Sequence, residues 1–118
     1  MKRFRTSFVM GATLTCLCAS AILSPAIAMT EQQSKGMYRH GIWEWSLSKC
    51  TGALRQKGYW YALKELGGFP SSQAIIDLET SNEFKNGWRY METNARNHGM
   101  DRTCDYAFEQ WPALLYRN

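Results

Sequence analysis

Few side chains in this 118-residue chain have types and spacings that could do chemistry. His40 and His98 are the two histidines, and neither stands at ligand spacing from the other or from a cysteine, so no metal site is expected. His98 precedes Gly99 and reads as a helix C-terminal residue, where the macrodipole favours a cationic imidazole. No Gly-x-Ser-x-Gly elbow is present, and Gly67-Gly68 lacks the following Lys-Ser/Thr of a phosphate loop. No Cys-x-x-Cys-His offers covalent haem attachment, so no cofactor is expected. Paired carboxylates could act as acid and base, with Glu44, Asp77, Glu79 or the Asp101, Asp105, Glu109 row as candidates. That row has the spacing of one helix flank and reads as a solvated face. Arg89, Glu92 and Arg96 read as surface ion pairs worth tenths of a kcal/mol. No catalytic residue is therefore expected, and a small hydrolase using a carboxylate pair is the remote alternative.

The cysteines depend on which residues form the working protein. Lys2, Arg3 and Arg5 open the chain, Thr6 to Thr30 carries no charge, and Ser24-Pro25-Ala26-Ile27-Ala28 closes the apolar run. That order of basic, apolar and Ala-x-Ala segments predicts a secretory signal peptide over residues 1–28, cleaved after Ala28. The alternative is an uncleaved anchor, since 25 uncharged residues are long enough to span a bilayer. Cleavage leaves one domain, residues 29–118, with eleven basic and ten acidic residues. The whole-chain charge of +4 thus falls to +1, so no nucleic-acid partner is expected, and no membrane association after cleavage. Cys50 and Cys104 remain, and two cysteines in an oxidising compartment allow one bridge. A redox pair would normally show Cys-x-x-Cys, absent here.

Aromatic residues are the third feature. All five tryptophans, all six tyrosines and three phenylalanines fall within residues 29–118, more than one small core readily hides. Tyr38, Ile42 and Trp45 lie off the helical face shared by Trp43, Leu47 and Cys50. Tyr59, Trp60 and Tyr61 are consecutive, and on a helix such a triplet spans about 200°. Tyr38, Trp45, Tyr59, Trp60 and Tyr61 are thus the candidate partner-binding residues, of the types that dominate protein interfaces. A central helix buried on two faces would account for them equally.

The elements that must position these groups read as helices. Residues 29–118 contain no valine and three isoleucines, a poor supply for strands. Trp43, Leu47, Cys50 and Leu54 recur at helical spacing, and Gly58 either ends or interrupts that helix. Gly67-Gly68-Phe69-Pro70 is a firm stop. Ser71 or Ser72 can cap a helix carrying Ala74, Ile75 and Leu78. Thr80-Ser81-Asn82-Glu83 matches a capping box before the stripe Phe84, Trp88, Met91, Ala95. Asp101 can cap a last helix presenting Cys104, Ala107, Phe108 and Trp111. The expected fold is all-α, a bundle of about four helices stapled by one disulfide.

These features point to an exported, periplasmic or secreted, non-catalytic protein. It would bind another periplasmic or envelope protein as inhibitor, immunity protein or accessory subunit. In broad plan, a compact helical domain joining a first-helix Cys50 to a late Cys104, it resembles the small exported immunity proteins that neutralise secreted peptidoglycan amidases. The main alternative is a periplasmic stress chaperone that opens in acid, although ten carboxylates against eleven bases supply few groups to drive such opening. Oligomeric state leaves no mark in the sequence.

Overall fold

The computed structural model describes residues 28–118, so the expected signal peptide lies almost wholly outside the described residues. Five helices and a two-stranded ribbon follow in the order α1 (Glu31–Lys49), β1 (Ala53–Arg55), α2 (Tyr59–Gly67), α3 (Ser72–Asp77), α4 (Asn82–His98), α5 (Met100–Gln110) and β2 (Leu115–Arg117). The domain is mostly helical and carries the Cys50–Cys104 disulfide, as the residue pattern predicts. The described helices number five, one more than expected.

Helix α1 starts at a capping box. The Thr30 hydroxyl accepts from the Gln33 amide at 3.0 Å, and the Gln33 side chain accepts from the Thr30 amide at 3.1 Å, satisfying two donors that a helix start leaves free. The helix is the axle of the fold and is buried round most of its girth: Met37, His40, Ile42, Trp43, Trp45 and Ser46 are all enclosed. It ends earlier than its apolar repeat predicts. Cys50 is already extended, and Gly52, at φ +76°, turns the chain into β1. Leu54 therefore lies on a strand opposite Tyr116, 41% exposed, and not on the apolar stripe of α1. The ribbon pairs β1 with β2 in antiparallel register. A strand of three residues with its partner at the far end of the chain carries no local periodicity.

Helix α4 lies alongside α1 and runs in the same direction. Ser34 meets Glu83, the Tyr38 carbonyl meets Gly87, Gly41 meets Phe84 and Trp88, and Trp45 meets Glu92. Two glycines make this approach possible. A methyl group on Gly41 would overlap the Phe84 carbonyl, and one on Gly87 would overlap the Tyr38 carbonyl, so the backbones close to a distance that no larger residue permits. Helices α2 and α3 carry the chain back between these two parallel helices, which short loops cannot join.

The remaining caps refine the expected boundaries. Ser71 caps α3. Ser81, and not Thr80, caps α4 by accepting from the Phe84 amide at 3.3 Å. Gly99 alone joins α4 to α5, at φ +94°, a conformation that residues with a Cβ avoid. Asp101 consequently sits in the first turn of α5 and does not cap it. The disulfide ties the end of α1 to α5 across a Cα–Cα distance of 5.7 Å.

Candidate functional site

Two clusters bring polar chemistry together: one inside the domain, one on its surface.

The inner cluster is centred on His40, whose side chain is wholly enclosed. Helix α1 supplies His40 and, one turn on, Glu44. Helix α2 supplies Tyr59, β1 supplies Arg55, and the turn between α3 and α4 supplies Glu79. His40 Nε2 lies 2.7 Å from a Glu79 oxygen and Nδ1 lies 2.8 Å from the Tyr59 hydroxyl. A carboxylate only accepts, so Nε2 carries a proton and donates it to Glu79. In the neutral ring Nδ1 then accepts from the Tyr59 O–H. Glu44 stands 4.0 Å from Nδ1 and is itself paired with Arg55. The rings of Trp60 and Phe84 close over the imidazole at centroid distances of 5.5 and 5.2 Å. Arg55 lies over both Tyr59 and Trp60, 5.2 Å from each ring centre.

The environment holds His40 neutral. Burial pushes its pKa below the ordinary 6.5, outweighing the upward pull of the Glu79 hydrogen bond and of the Glu44 charge. Burial likewise drives the Tyr59 phenol upward, with the Glu44 charge acting the same way, so Tyr59 stays a hydrogen-bond donor.

The order carboxylate, imidazole, hydroxyl is that of an activated nucleophile. Tyr59 is fully buried, however, and its strongly raised pKa opposes anion formation, so the row cannot present a nucleophile to a substrate. The residue types His40, Glu44 and Glu79 could also hold a metal, with ligand atoms within 4.8 Å of one another. Their arrangement does not suit one ion. Glu79 sits on one ring nitrogen at hydrogen-bond distance, Glu44 faces the other, and Arg55 and Tyr59 occupy the remaining directions. The cluster is a hydrogen-bonded tie between three separate segments.

The surface cluster is a cleft of about 550 Å³ between α4 and α5, lined by Tyr90, Asn94 and His98 from one helix and Arg102, Tyr106 and Glu109 from the other. Positions 90, 94 and 98 fall one turn apart on α4, and 102, 106 and 109 do so on α5, so each helix offers one continuous stripe. Tyr90 and Tyr106 are 41% and 39% exposed. Tyr38 packs against Tyr90 with ring centres 6.2 Å apart and planes tilted by 50°, and Tyr106 meets Trp111 edge-on at 5.7 Å. Partial burial, with Tyr90 adding to it in both cases, holds the phenols of Tyr38 and Tyr106 above their usual range. Tyr90 is thus the middle member of a row of tyrosines.

The five expected partner-binding residues separate accordingly. Trp45 and Tyr59 are completely buried and cannot form a docking surface in the folded domain. Trp45 packs against α4 with its indole N–H donated to Glu92 at 2.7 Å, and Tyr59 belongs to the His40 cluster. The reason is the central position of α1, which is covered on nearly all sides. Trp60 is partly exposed and Tyr61 is 67% exposed, so only part of the α2 triplet reaches solvent. Tyr38 joins the surface row. Glu92 is taken by Trp45 and Arg89 bonds to Asn86 at 2.9 Å, so the ion pairs expected along α4 do not form among the described residues.

The sequence reading leaves His40 without a role and passes over Tyr90, Arg102 and Tyr106. One trace of the first was available: His40 and Glu44 stand at i, i+4 on one helix face. For the second, Tyr90 and Tyr106 become neighbours only because Gly99 folds α5 back beside α4. No protein-family model, curated protein or solved structure matches the chain.

Proposed function

We propose that residues 29–118, after cleavage behind Ala28, form an exported non-catalytic domain that docks on another periplasmic or envelope protein through its α4–α5 face. Inhibitor, immunity protein and accessory subunit all fit this action. The observation that carries the reading is the tyrosine-lined cleft. Tyr90 and Tyr106 stand half exposed, beside Arg102, on two helices joined without slack. Tyrosine offers broad contact area at low entropic cost and arginine a planar fork, which is why both dominate binding hot spots. A pre-positioned pair also avoids part of the ordering cost of association. Among the described residues, the one cluster with the residue types of an active site keeps its imidazole and phenol fully buried, which supports a role without catalysis. The disulfide fits an oxidising compartment, and among the described residues no helix is long and apolar enough to cross a membrane.

Single and paired alanine substitutions at Tyr90 and Tyr106 test the reading, with Tyr61→Ala on α2 as comparison. Affinity for the cognate partner should fall at least tenfold for each cleft variant at unchanged helicity, and little for Tyr61→Ala. The reverse ranking would move the surface to α2.

A second reading, the periplasmic stress chaperone, gains support from one observation, the buried neutral His40. It is a group whose charging in acid works against the fold.

A further inference from the structure

His40 is the one histidine in the domain with no access to solvent, and both of its ring nitrogens are committed to groups on other segments. Tyr59 lies 19 residues and Glu79 39 residues along the chain. Tyr59 opens α2, while Glu79 sits on the turn that leads into α4. Every segment packed round the imidazole contributes a constraint. Helix α1 brings Glu44, whose carboxylate is engaged by Arg55 of β1. Helix α2 brings Tyr59 and the ring of Trp60. The α3–α4 turn brings Glu79, which is one third exposed. Helix α4 brings the ring of Phe84, and its Lys85 borders the groove that Glu79 also lines.

We propose that the Tyr59–His40–Glu79 bridge is an acid-released lock that fastens α2 and the α3–α4 turn to α1 while the imidazole is neutral and lets them go as His40 takes up a proton. The neutral ring has one donor and one acceptor, matched to one acceptor and one donor. A proton arriving from solvent must settle on Nδ1, because Nε2 already carries one. Nδ1 then becomes a donor facing the Tyr59 O–H. That hydroxyl must turn away to find an acceptor, and the nearest carboxylate, Glu44, is held by the Arg55 guanidinium. Arg55 also places a positive charge beside the new one, in a pocket closed by Trp60 and Phe84. Glu79 and the Arg55-paired Glu44 offset only part of the charge, and relaxing the pocket to admit water relieves the remainder. The opened segment uncovers Trp60 and Phe84, an aromatic surface distinct from the tyrosine cleft. The lock stands whether or not the cleft binds a partner.

The direction of the pH effect follows from linkage. A histidine whose folded-state pKa lies below its ordinary 6.5 binds its proton more readily in the unfolded chain. Its stabilising contribution is complete above about 6.5 and is lost as pH falls from there through the lowered folded-state value.

The test uses the disulfide-bonded mature domain. Urea unfolding is followed from pH 7.5 to 5.0, a range above the ordinary titration of carboxylates. The unfolding constant of the wild type should rise by up to about tenfold per pH unit below 6.5. His40→Gln should flatten that rise, whereas His98→Gln, at the exposed end of α4, should keep it. In the same range amide exchange in α2 and at Glu79 should quicken before exchange in α5. Should His40→Gln fail to fold, NMR titration of the wild-type imidazole decides: the ring must remain an Nε2–H tautomer at a pH where an ordinary histidine is half charged. A ring titrating at or above 6.5, or a wild-type stability flat from pH 7.5 to 5.0, would overturn the lock.

Discussion

The domain is fastened at two places by opposite means. At one end the Cys50–Cys104 bond joins the last residue of α1's apolar stripe to α5, beside the ribbon that ties the chain's end to β1. Some three turns earlier on the same helix, His40 joins α1 to α2 and the α3–α4 turn by two hydrogen bonds. Both devices cross-link α1 to distant segments. The covalent tie acts on the unfolded chain by shortening its loops and is indifferent to pH in the physiological range. The polar tie acts on the folded state alone, and it holds only while its central ring is neutral. The domain therefore has one fastening that answers to redox conditions and one that answers to protons.

Reduction, or Cys50→Ser, should have the largest effect on this contrast. A bridge spanning 54 residues contributes about 4 kcal/mol by the chain-entropy argument, a large part of the margin of a small domain. The melting temperature should drop by about 15 °C or more, and the pH dependence below 6.5 should persist, since His40 is untouched. Equal melting with and without reductant would remove the staple from the account.

Gly87→Ala comes next, because it strikes the α1–α4 crossing on which both fastenings depend. The added methyl meets the Tyr38 backbone, which cannot swing aside as a side chain does. A loss of about 3 kcal/mol is expected, measured by urea unfolding. An effect under about 1 kcal/mol would show that the helices lie further apart.

Tyr59→Phe acts on the polar tie with little change of shape and leaves Nδ1 of His40 buried without a donor. The cost should be about 1–3 kcal/mol at pH 7.5. It should shrink as pH falls and the ring takes up its proton, because the Tyr59 donation is then lost in the wild type as well. A cost independent of pH would reduce Tyr59 to a packing residue.

The smallest stability effect is expected at the cleft. Tyr90 and Tyr106 stand on the surface, and replacing either with alanine should change stability by less than about 0.5 kcal/mol, measured in the same unfolding experiment. Their substitution should be felt in binding instead.

The covalent fastening was legible in the sequence and the polar one was not. Residues 29–118 hold two cysteines, which can pair only with each other there, so residue type alone names the pair. His40 offers two nitrogens to any of sixteen carboxylates and phenols in residues 29–118, and its true partners meet it only after two turns and a short helix have been placed. The helices themselves follow from apolar spacing and serine caps, which are local. The ribbon does not, because its strands stand at opposite ends of the domain and carry no β-branched run. Trp45 and Tyr59 were misplaced for a related reason. Periodicity reports which residues share a face, but α1 packs on several faces at once, so its second stripe of aromatics is as buried as its first. The tyrosine cleft became visible only when Gly99 set α5 beside α4.

The central claim, that the α4–α5 face docks on a partner, is tested most directly by site-specific photo-crosslinking in the producing cell. A photoreactive residue at position 106 should give one discrete adduct with another exported protein. Tyr90→Ala should abolish that adduct, and a probe at position 54, on the ribbon, should give none. Equal labelling from positions 54 and 106, or an adduct at 106 that survives Tyr90→Ala, would contradict the claim.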